Sequence, residues 1–280
     1  MNRWLHILKR LTYDKLHYLL LLIIHEPRQI KKRMQERAVL TNNLQLKNIY
    51  KGKRCFIIGN GPSVKNLDLT TLKDEFTFVV NHFFLHKKYN KVHPNFYCMI
   101  DPRFAKNDKF TKDFFSQLGK KIHQDTLLFY PIEGLHLKKI PYLKKIKKAY
   151  MLMNHEFDQE LKFNLEIDKP IPYLINVLLA CLIPAIYLGF SEIYLLGCEH
   201  DWCKYRTNED WGYFYKFKKS YNPNMYVPYE TKLDHTRKLF QAYRLIKKKF
   251  PKVKIYNCTP GSYLDVFEFK KLSKITSAKV

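Results

Sequence analysis

Short apolar runs recur along the chain, and most of them end in a glycine or a polar residue. Arg54-Cys55-Phe56-Ile57-Ile58 runs straight into Gly59-Asn60-Gly61-Pro62-Ser63. Thr77 to Asn81 repeats the pattern, as does Phe96 to Asp101, which Pro102 closes. Thr126–Tyr130, Ile193–Gly197 and Val253–Asn257 complete the set. Between these runs the apolar spacing becomes helical. It predicts a helix opening at Ser63, with Ser63 as its cap and Leu67, Leu69 and Leu72 as its contacts. Further helices are predicted over residues 173–188, stopped by Gly189, and over Leu239–Phe250. Short apolar strands alternating with helices imply an α/β fold whose parallel sheet is covered on both faces. Ligands of such sheets sit beyond the carboxyl ends of the strands. Asn60, Asn81, Asp101, Glu199 and Asn257 occupy those ends and are expected to converge on one cleft.

Two regions break the pattern. Residues 1–50 carry ten Lys/Arg against three Asp/Glu and no glycine. Trp4, Leu8, Leu11, Leu16, Leu19, Leu20 and Ile23 recur there at helical spacing, and Pro27 stops the run. Such a basic amphipathic helix suits either an acidic membrane surface or packing on the domain or a partner chain. Residues 203–234 are crowded with Tyr205, Trp211, Tyr213, Phe214, Tyr215, Tyr221, Tyr226 and Tyr229. An aromatic loop of that length is read as a lid over the cleft, with a structural or oligomer contact as the other reading. The expected organisation is therefore a basic N-terminal region, 1–50, and a catalytic domain, 51–280, with a lid near 203–234.

Charge sharpens this picture without deciding it. The chain has 280 residues and 50 Lys+Arg against 25 Asp+Glu, a formal charge of +25. That balance draws the protein to something anionic: nucleic acid, acidic lipid or a phosphorylated substrate. The charge is spread over helix faces and no nucleic-acid recognition motif accompanies it, so nucleic acid is not the expected partner. No run of about 20 apolar residues is present to span a bilayer. The six cysteines show neither a C-x-x-C pair nor a zinc spacing, and are expected to be buried reduced thiols.

The most informative stretch for chemistry is the strand-Gly-Asn-Gly-Pro-Ser junction. Its glycines let the backbone turn sharply, and a helix start would offer N–H groups to an anion. It lacks the Lys of a Walker loop and the third glycine of a dinucleotide fingerprint. It is read as a nucleotide or phosphate site, or as a tight strand-to-helix turn. Gly197-Cys198-Glu199-His200-Asp201-Trp202 ends another strand. Its two acids are a weak metal signal, and hydrogen bonding to a ribose hydroxyl or ordering of the loop is the preferred role. His235, preceded by Asp234, follows the aromatic loop and suits a general base.

Phe56 to Ser63, Val80-Asn81-His82-Phe83, Gly189 to Gly197 and Ile255 to Ser262 together resemble the bacterial sialyltransferases of glycosyltransferase family 42. The resemblance covers roughly residues 53–264. It implies a single Rossmann-like domain of the GT-A-variant type, with a mostly parallel sheet and a lid. It also implies an inverting enzyme that uses a CMP-activated sialic-acid-like sugar, with no metal and no other cofactor. Carried over, Gly59, Asn60, Gly61 and Ser63 hold the nucleotide, and Asn81 and Asp101 stand where donor-contacting asparagines lie. Glu199, after Gly197, matches an acid near the cytidine ribose, and His235 matches the base that deprotonates the acceptor. The family's Thr-Ser-Gly before its long helix is Ile175-Asn176-Val177 in this chain, leaving Asn176 as the polar donor contact. Tyr205, Tyr213 and Tyr215 are candidates for binding the leaving phosphate.

The Gly-Asn-Gly-Pro-Ser turn and the strand ending in Asp-Pro also resemble the 6-hydroxymethylpterin diphosphokinase-like family. The expectation is a transferase of an ulosonic acid to a bacterial surface glycan or glycolipid, as in lipopolysaccharide or capsule biosynthesis. It would be peripheral on the cytoplasmic face of the inner membrane, and homo-oligomers are compatible with it. The alternatives are a diphosphokinase-like nucleotide-binding enzyme and a basic nucleic-acid-binding protein.

Overall fold

The computed structural model describes residues 30–155, 165–205, 212–215 and 228–276. The run from Trp4 to Ile23 lies outside them. Eight parallel strands form the main sheet: β1 (Arg54–Ile58), β2 (Phe76–Val80), β3 (Phe96–Cys98), β4 (Leu127–Pro131), β5 (Lys147–Met151), β8 (Glu192–Leu196), β9 (Lys254–Asn257) and β10 (Glu268–Phe269). Their order across the sheet is β10-β9-β8-β1-β2-β3-β4-β5. β6 (Met153–His155) and β7 (Ile171–Pro172) pair with each other in a small second sheet. The helices are α1 (30–41), α2 (Tyr89–Val92), α3 (Lys109–Gly119), α4 (Pro141–Lys145), α5 (Val177–Tyr187), α6 (Tyr229–Lys249) and α7 (Leu272–Thr276). The α/β parallel architecture expected from the apolar runs is the one found. Among the described residues no helix is long and apolar enough to cross a membrane.

Strand alternation divides the core into two layers. In β1, Cys55 and Ile57 join a cluster with Leu179, Leu182 and Ile183 of α5 and Leu239, Tyr243 and Ile246 of α6. Phe56 and Ile58 point the other way, toward Val64, Leu69, Phe83, Phe104, Phe115 and Leu118. Burial on both faces is why these strands read as continuous apolar runs rather than alternating ones.

The structure moves several expected boundaries. The segment after β1 is a 3₁₀ turn, Pro62–Asn66, whose N-cap is Gly61 and not Ser63. The chain turns extended at Leu67, and Asp68 caps a separate 3₁₀ turn, Leu69–Leu72, whose Leu69 and Leu72 are buried. The helix expected over 173–188 begins only at Val177, because Asn176 adopts an extended backbone and its side chain accepts from the Leu178 N–H. The last long helix starts at Tyr229, ten residues before Leu239, so His235 lies in its second turn. β3 pairs only as far as Cys98; Asp101 then caps the 3₁₀ turn Pro102–Ala105 through the Arg103 N–H.

Residues 40–50, assigned from the sequence to the N-terminal region, pack on the domain. Leu40 and Asn43 are buried, and the Asn43 amide donates to the Tyr150 and Ile167 carbonyls at 2.7 Å. Tyr50 stacks on Phe190 with ring centroids 5.1 Å apart. Ile30 and Met34 of α1 are exposed.

Candidate active-site cleft

The chain runs from β1 outward through β2, β3, β4 and β5, then returns to place β8 on the other side of β1. The loops leaving β1 and β8 therefore diverge, and a crevice opens at their carboxyl ends. This is the topological switch point, where open parallel sheets bind ligands. The cleft found there has a volume of about 90 Å³ and is lined by the Gly59–Gly61 turn, Asn81, Asn176, Glu199, His200 and Tyr213 among others.

The two strand ends interlock. The Gly59 N–H donates to the Leu196 carbonyl at 2.7 Å and the Gly61 N–H to the Gly197 carbonyl at 3.1 Å. Gly197 has φ +63°, and a Cβ there would lie 2.3 Å from Val64. The carboxylate of Glu199 then reaches across to the turn. Its Oε1 accepts from the Ser63 N–H at 2.7 Å, and a Cβ on Gly61 would lie 1.5 Å from its Oε2. The small residue at position 61 thus makes room for Glu199. The N–H at the head of the 3₁₀ turn, expected to be open to an anion, is already taken by a carboxylate.

Several polar atoms in and beside this cleft are buried without a hydrogen-bond partner among the described residues: Asn60 Oδ1, Asn81 Oδ1, Glu199 Oε2 and His200 Nδ1 in its lining, and Ser63 Oγ behind Glu199. Buried polar groups are ordinarily satisfied, so a cluster of unmet ones at a strand-end crevice marks a place for a ligand or water. The three amide and carboxylate oxygens can only accept. Asn81 and His200 also hold left-handed backbones, with φ of 46° and 55°. Strain of this kind is concentrated at functional sites.

His200 was not anticipated as a structural element of the cleft. It is buried, its Nε2 lies 2.9 Å from the Tyr243 hydroxyl, and burial pushes its imidazole down to about 4. It is therefore neutral at pH 7 and tethers the Glu199–Asp201 segment to α6. The N-terminal turns of α6 hold the next residues. Tyr229 donates to the Cys203 carbonyl at 3.1 Å and buried Lys232 to the Tyr205 carbonyl at 3.1 Å. His235 is one helical turn beyond Lys232, exposed, and outside the lining of the cleft.

The described part of the aromatic loop closes the front. The Phe214 N–H donates to the Asn60 carbonyl at 2.9 Å, which fixes this segment to the glycine turn. Tyr213 and Tyr215 stack on each other at 5.3 Å, and Tyr215 lies 5.3 Å from the His82 ring. Burial pushes Tyr213 up to about 12 and His82 down to about 4. The Tyr205 hydroxyl points to Asp201 Oδ2 at 3.4 Å. Residues 206–211 and 216–227, with Trp211, Tyr221 and Tyr226, lie outside the described residues.

The structure brings together Gly59, Asn60, Gly61, Asn81, Asn176, Gly197, Glu199 and Tyr213 around one cleft, with Ser63 bonded to it through Glu199. Two of the strand-end residues do not converge there. Asp101 is exposed and spent as a helix cap, which its Asp-Pro sequence foreshadows. Asn257 donates instead to Ser262 Oγ and the Leu264 carbonyl, holding the loop after β9. Among the described residues no group of three His, Cys, Asp or Glu could hold a metal ion. No cysteine there is bridged, and all but Cys203 are buried.

The chain is similar in structure to a bacterial sialyltransferase. That structure is CstII from Campylobacter jejuni in complex with a substrate analogue, cytidine-5'-monophosphate. The TM-score is 0.44 at 18% identity, over 78% of this chain and 85% of that one. No protein-family model and no curated protein sequence matches.

Several lining residues were not among the sequence candidates, including Val177, Cys198, His200, Asp201, Trp202 and Gly212. A histidine between two acids read as a weak metal signal, whereas its ring turns inward to Tyr243. The available hint was its place three residues after the strand-ending Gly197.

Proposed function

We propose that the protein is a glycosyltransferase that takes an ulosonic, sialic-acid-like sugar from a CMP donor and inverts its anomeric carbon. The observation that carries the reading is the set of unmet acceptor atoms at the switch point: Asn60 Oδ1, Asn81 Oδ1 and Glu199 Oε2. A ligand that satisfies them must present N–H and O–H groups, as a ribose diol and an exocyclic amine do. The sequence blocks resembling family 42 supply the chemical class. A phosphate needs donors and would be repelled by Glu199, so it lies toward the hydroxyls of Tyr205, Tyr213 or Tyr215.

The cleft's 90 Å³ is well below the roughly 300–1,000 Å³ of a small-molecule site. Binding therefore requires the segment Gly212–Tyr215 to lift, breaking the Phe214–Asn60 hydrogen bond; this is the lid role. In the transfer step the acceptor hydroxyl gives its proton to the imidazole of His235. Its oxygen bonds to the anomeric carbon from the face opposite the phosphate, and the C–O bond to CMP breaks. The leaving group is a good one, so the protein's work is positioning and charge stabilisation.

A thermal-shift panel of CMP, CDP, UDP, GDP and ATP, with and without Mg²⁺, tests the reading. CMP should raise the melting temperature without Mg²⁺, by mass action on the folded state. A shift with ATP and Mg²⁺ alone would replace the transferase with a diphosphokinase-like enzyme. No shift with any nucleotide would remove both.

A further inference from the structure

A second cavity lies away from the cleft and is ten times its size. Its volume is about 910 Å³, and it is an open groove between the segment Asn66–Thr71 on one side and β10 with α7 on the other. The loop after β9 forms its floor. Leu67, Cys258, Phe269 and Leu272 make the walls largely apolar. The polar side chains of the floor are already satisfied. Asn257 is bonded to Ser262 and Leu264, and Thr259 Oγ1 accepts from the Cys198 N–H at 3.0 Å. Unlike the cleft, the groove offers a ligand volume and apolar surface, with no buried polar side-chain atom that lacks a partner among the described residues.

The rim is charged, and unevenly. Lys271 is exposed and lines the groove without a carboxylate partner among the described residues. Lys270 beside it sits 3.5 Å above the Tyr256 ring. The acid on the opposite lip, Asp68, is already paired with Lys88 at 2.9 Å. Phe269 is 51% exposed and adds apolar surface to the groove. At the mouth, a Cβ on Gly261 would meet nothing within 4 Å, so the entrance is open.

We propose that this groove binds the chain of an anionic lipid, with the apolar tail along Leu67, Phe269 and Leu272 and the phosphate head at Lys271. The charge complementarity of a +25 protein whose groove ends in Lys271, a cation with no carboxylate partner among the described residues, selects this occupant over a neutral chain or an apolar peptide. The site is independent of the nucleotide reading, since no residue lining it lines the cleft. The two are nevertheless mechanically joined. The floor loop is tied to the cleft by Ser262 Oγ donating to the Cys198 carbonyl and by the Tyr263 N–H donating to the Glu199 carbonyl at 2.8 Å.

The test is calorimetry of the full chain with dodecyl phosphate, octyl phosphate, dodecanol and inorganic phosphate, all below micelle-forming concentrations. Dodecyl phosphate should bind saturably at one site, and each methylene removed should weaken it by roughly threefold to fourfold. Lys271→Glu should weaken dodecyl phosphate about tenfold or more and leave dodecanol unchanged. Phe269→Ala should weaken both chains severalfold. Both positions are exposed, so a matching melting temperature shows that the variants fold. Binding independent of chain length, equal binding of inorganic phosphate, or affinity untouched by both substitutions would each overturn the proposal.

Discussion

The two cavities at the carboxyl side of the sheet differ in the opposite sense from what volume would suggest. The groove beside α7 is 910 Å³ and, among the described residues, its buried polar atoms are met; the cleft between β1 and β8 is 90 Å³ and leaves four of its lining residues with an unmet polar atom. Size measures how much apolar surface the fold failed to cover. Unmet polarity measures what the fold has withheld from itself, at a cost of about 1–3 kcal/mol for each such group. The smaller cavity is therefore the better candidate for chemistry. The larger one is a candidate for binding by area.

The sharpest test of that contrast is His235, the proposed base, which is exposed on α6 and lies outside the lining of the cleft. His235→Ala should lower transfer by roughly 10²–10⁴-fold, the usual worth of a positioned base, while leaving CMP affinity nearly unchanged. Turnover, CMP affinity and melting temperature measured on one preparation decide it. A well-folded variant with wild-type turnover would detach the chemistry from α6.

Next in size is Gly61→Val. A Cβ at position 61 would lie 1.5 Å from Glu199 Oε2. The carboxylate must move, and its bond to the Ser63 N–H breaks. Overpacking and loss of a charged hydrogen bond together predict a destabilisation of about 3 kcal/mol in chemical denaturation. The double variant Gly61→Ala/Glu199→Ala should be more stable than the sum of its single changes predicts. Strict additivity would show that the two residues do not meet.

How far the site could be read in advance follows from the same pair. Six of the eight main-sheet strands were legible because burial on both faces writes them as unbroken apolar runs, and the switch point follows from the α/β order; the edge strands β5 and β10, half-exposed and exposed with Lys and Glu in them, were not. Asn60, Asn81 and Glu199 were legible because each ends such a run. Asp101 and Asn257 end runs too, but a local demand captured each side chain: an Asx cap for one, a loop tie for the other. The reach of Glu199 back to Ser63 was not legible, since it spans 136 positions of sequence and depends on β8 lying beside β1. The groove was invisible for a related reason. It is made by α7 and β10 folding back against the turn after β1, and none of these short elements has a strong pattern of its own.

Acid should weaken the cleft side before the rest. His82 and His200 are held near 4 by burial, against about 6.5 in the unfolded chain. The folded pKa values are the lower ones, so the unfolded state binds more protons between these limits. Stability is fully present above about pH 6.5 and falls as the pH drops toward 4, by about 2–3 kcal/mol for each imidazole. Urea denaturation at pH 7, 5.5 and 4.5 should show the decline, and His200→Gln should remove about half of it. An unchanged slope in that variant would mean that His200 is not a neutral buried group beside Tyr243.

The smallest expected effect separates two roles held by one side chain. Asn176 lines the cleft, and its Oδ1 accepts from the Leu178 N–H at 2.6 Å as the N-cap of α5. Asn176→Ala removes the cap and should cost about 1 kcal/mol of stability. Asn176→Asp keeps an acceptor oxygen, so it should hold the helix start and even favour it through the helix dipole. It removes the amide donor, however, and adds a negative charge to a cleft that already carries Glu199. If Asn176 contacts the donor sugar, the aspartate variant should retain wild-type stability and bind the nucleotide sugar severalfold more weakly, with CMP itself less affected. If it serves only as a cap, the aspartate variant should match wild type in both measurements and the alanine variant should lose stability alone. Denaturation and calorimetry on the two variants distinguish these outcomes, because only a ligand contact makes the capping-competent aspartate behave worse than the native residue.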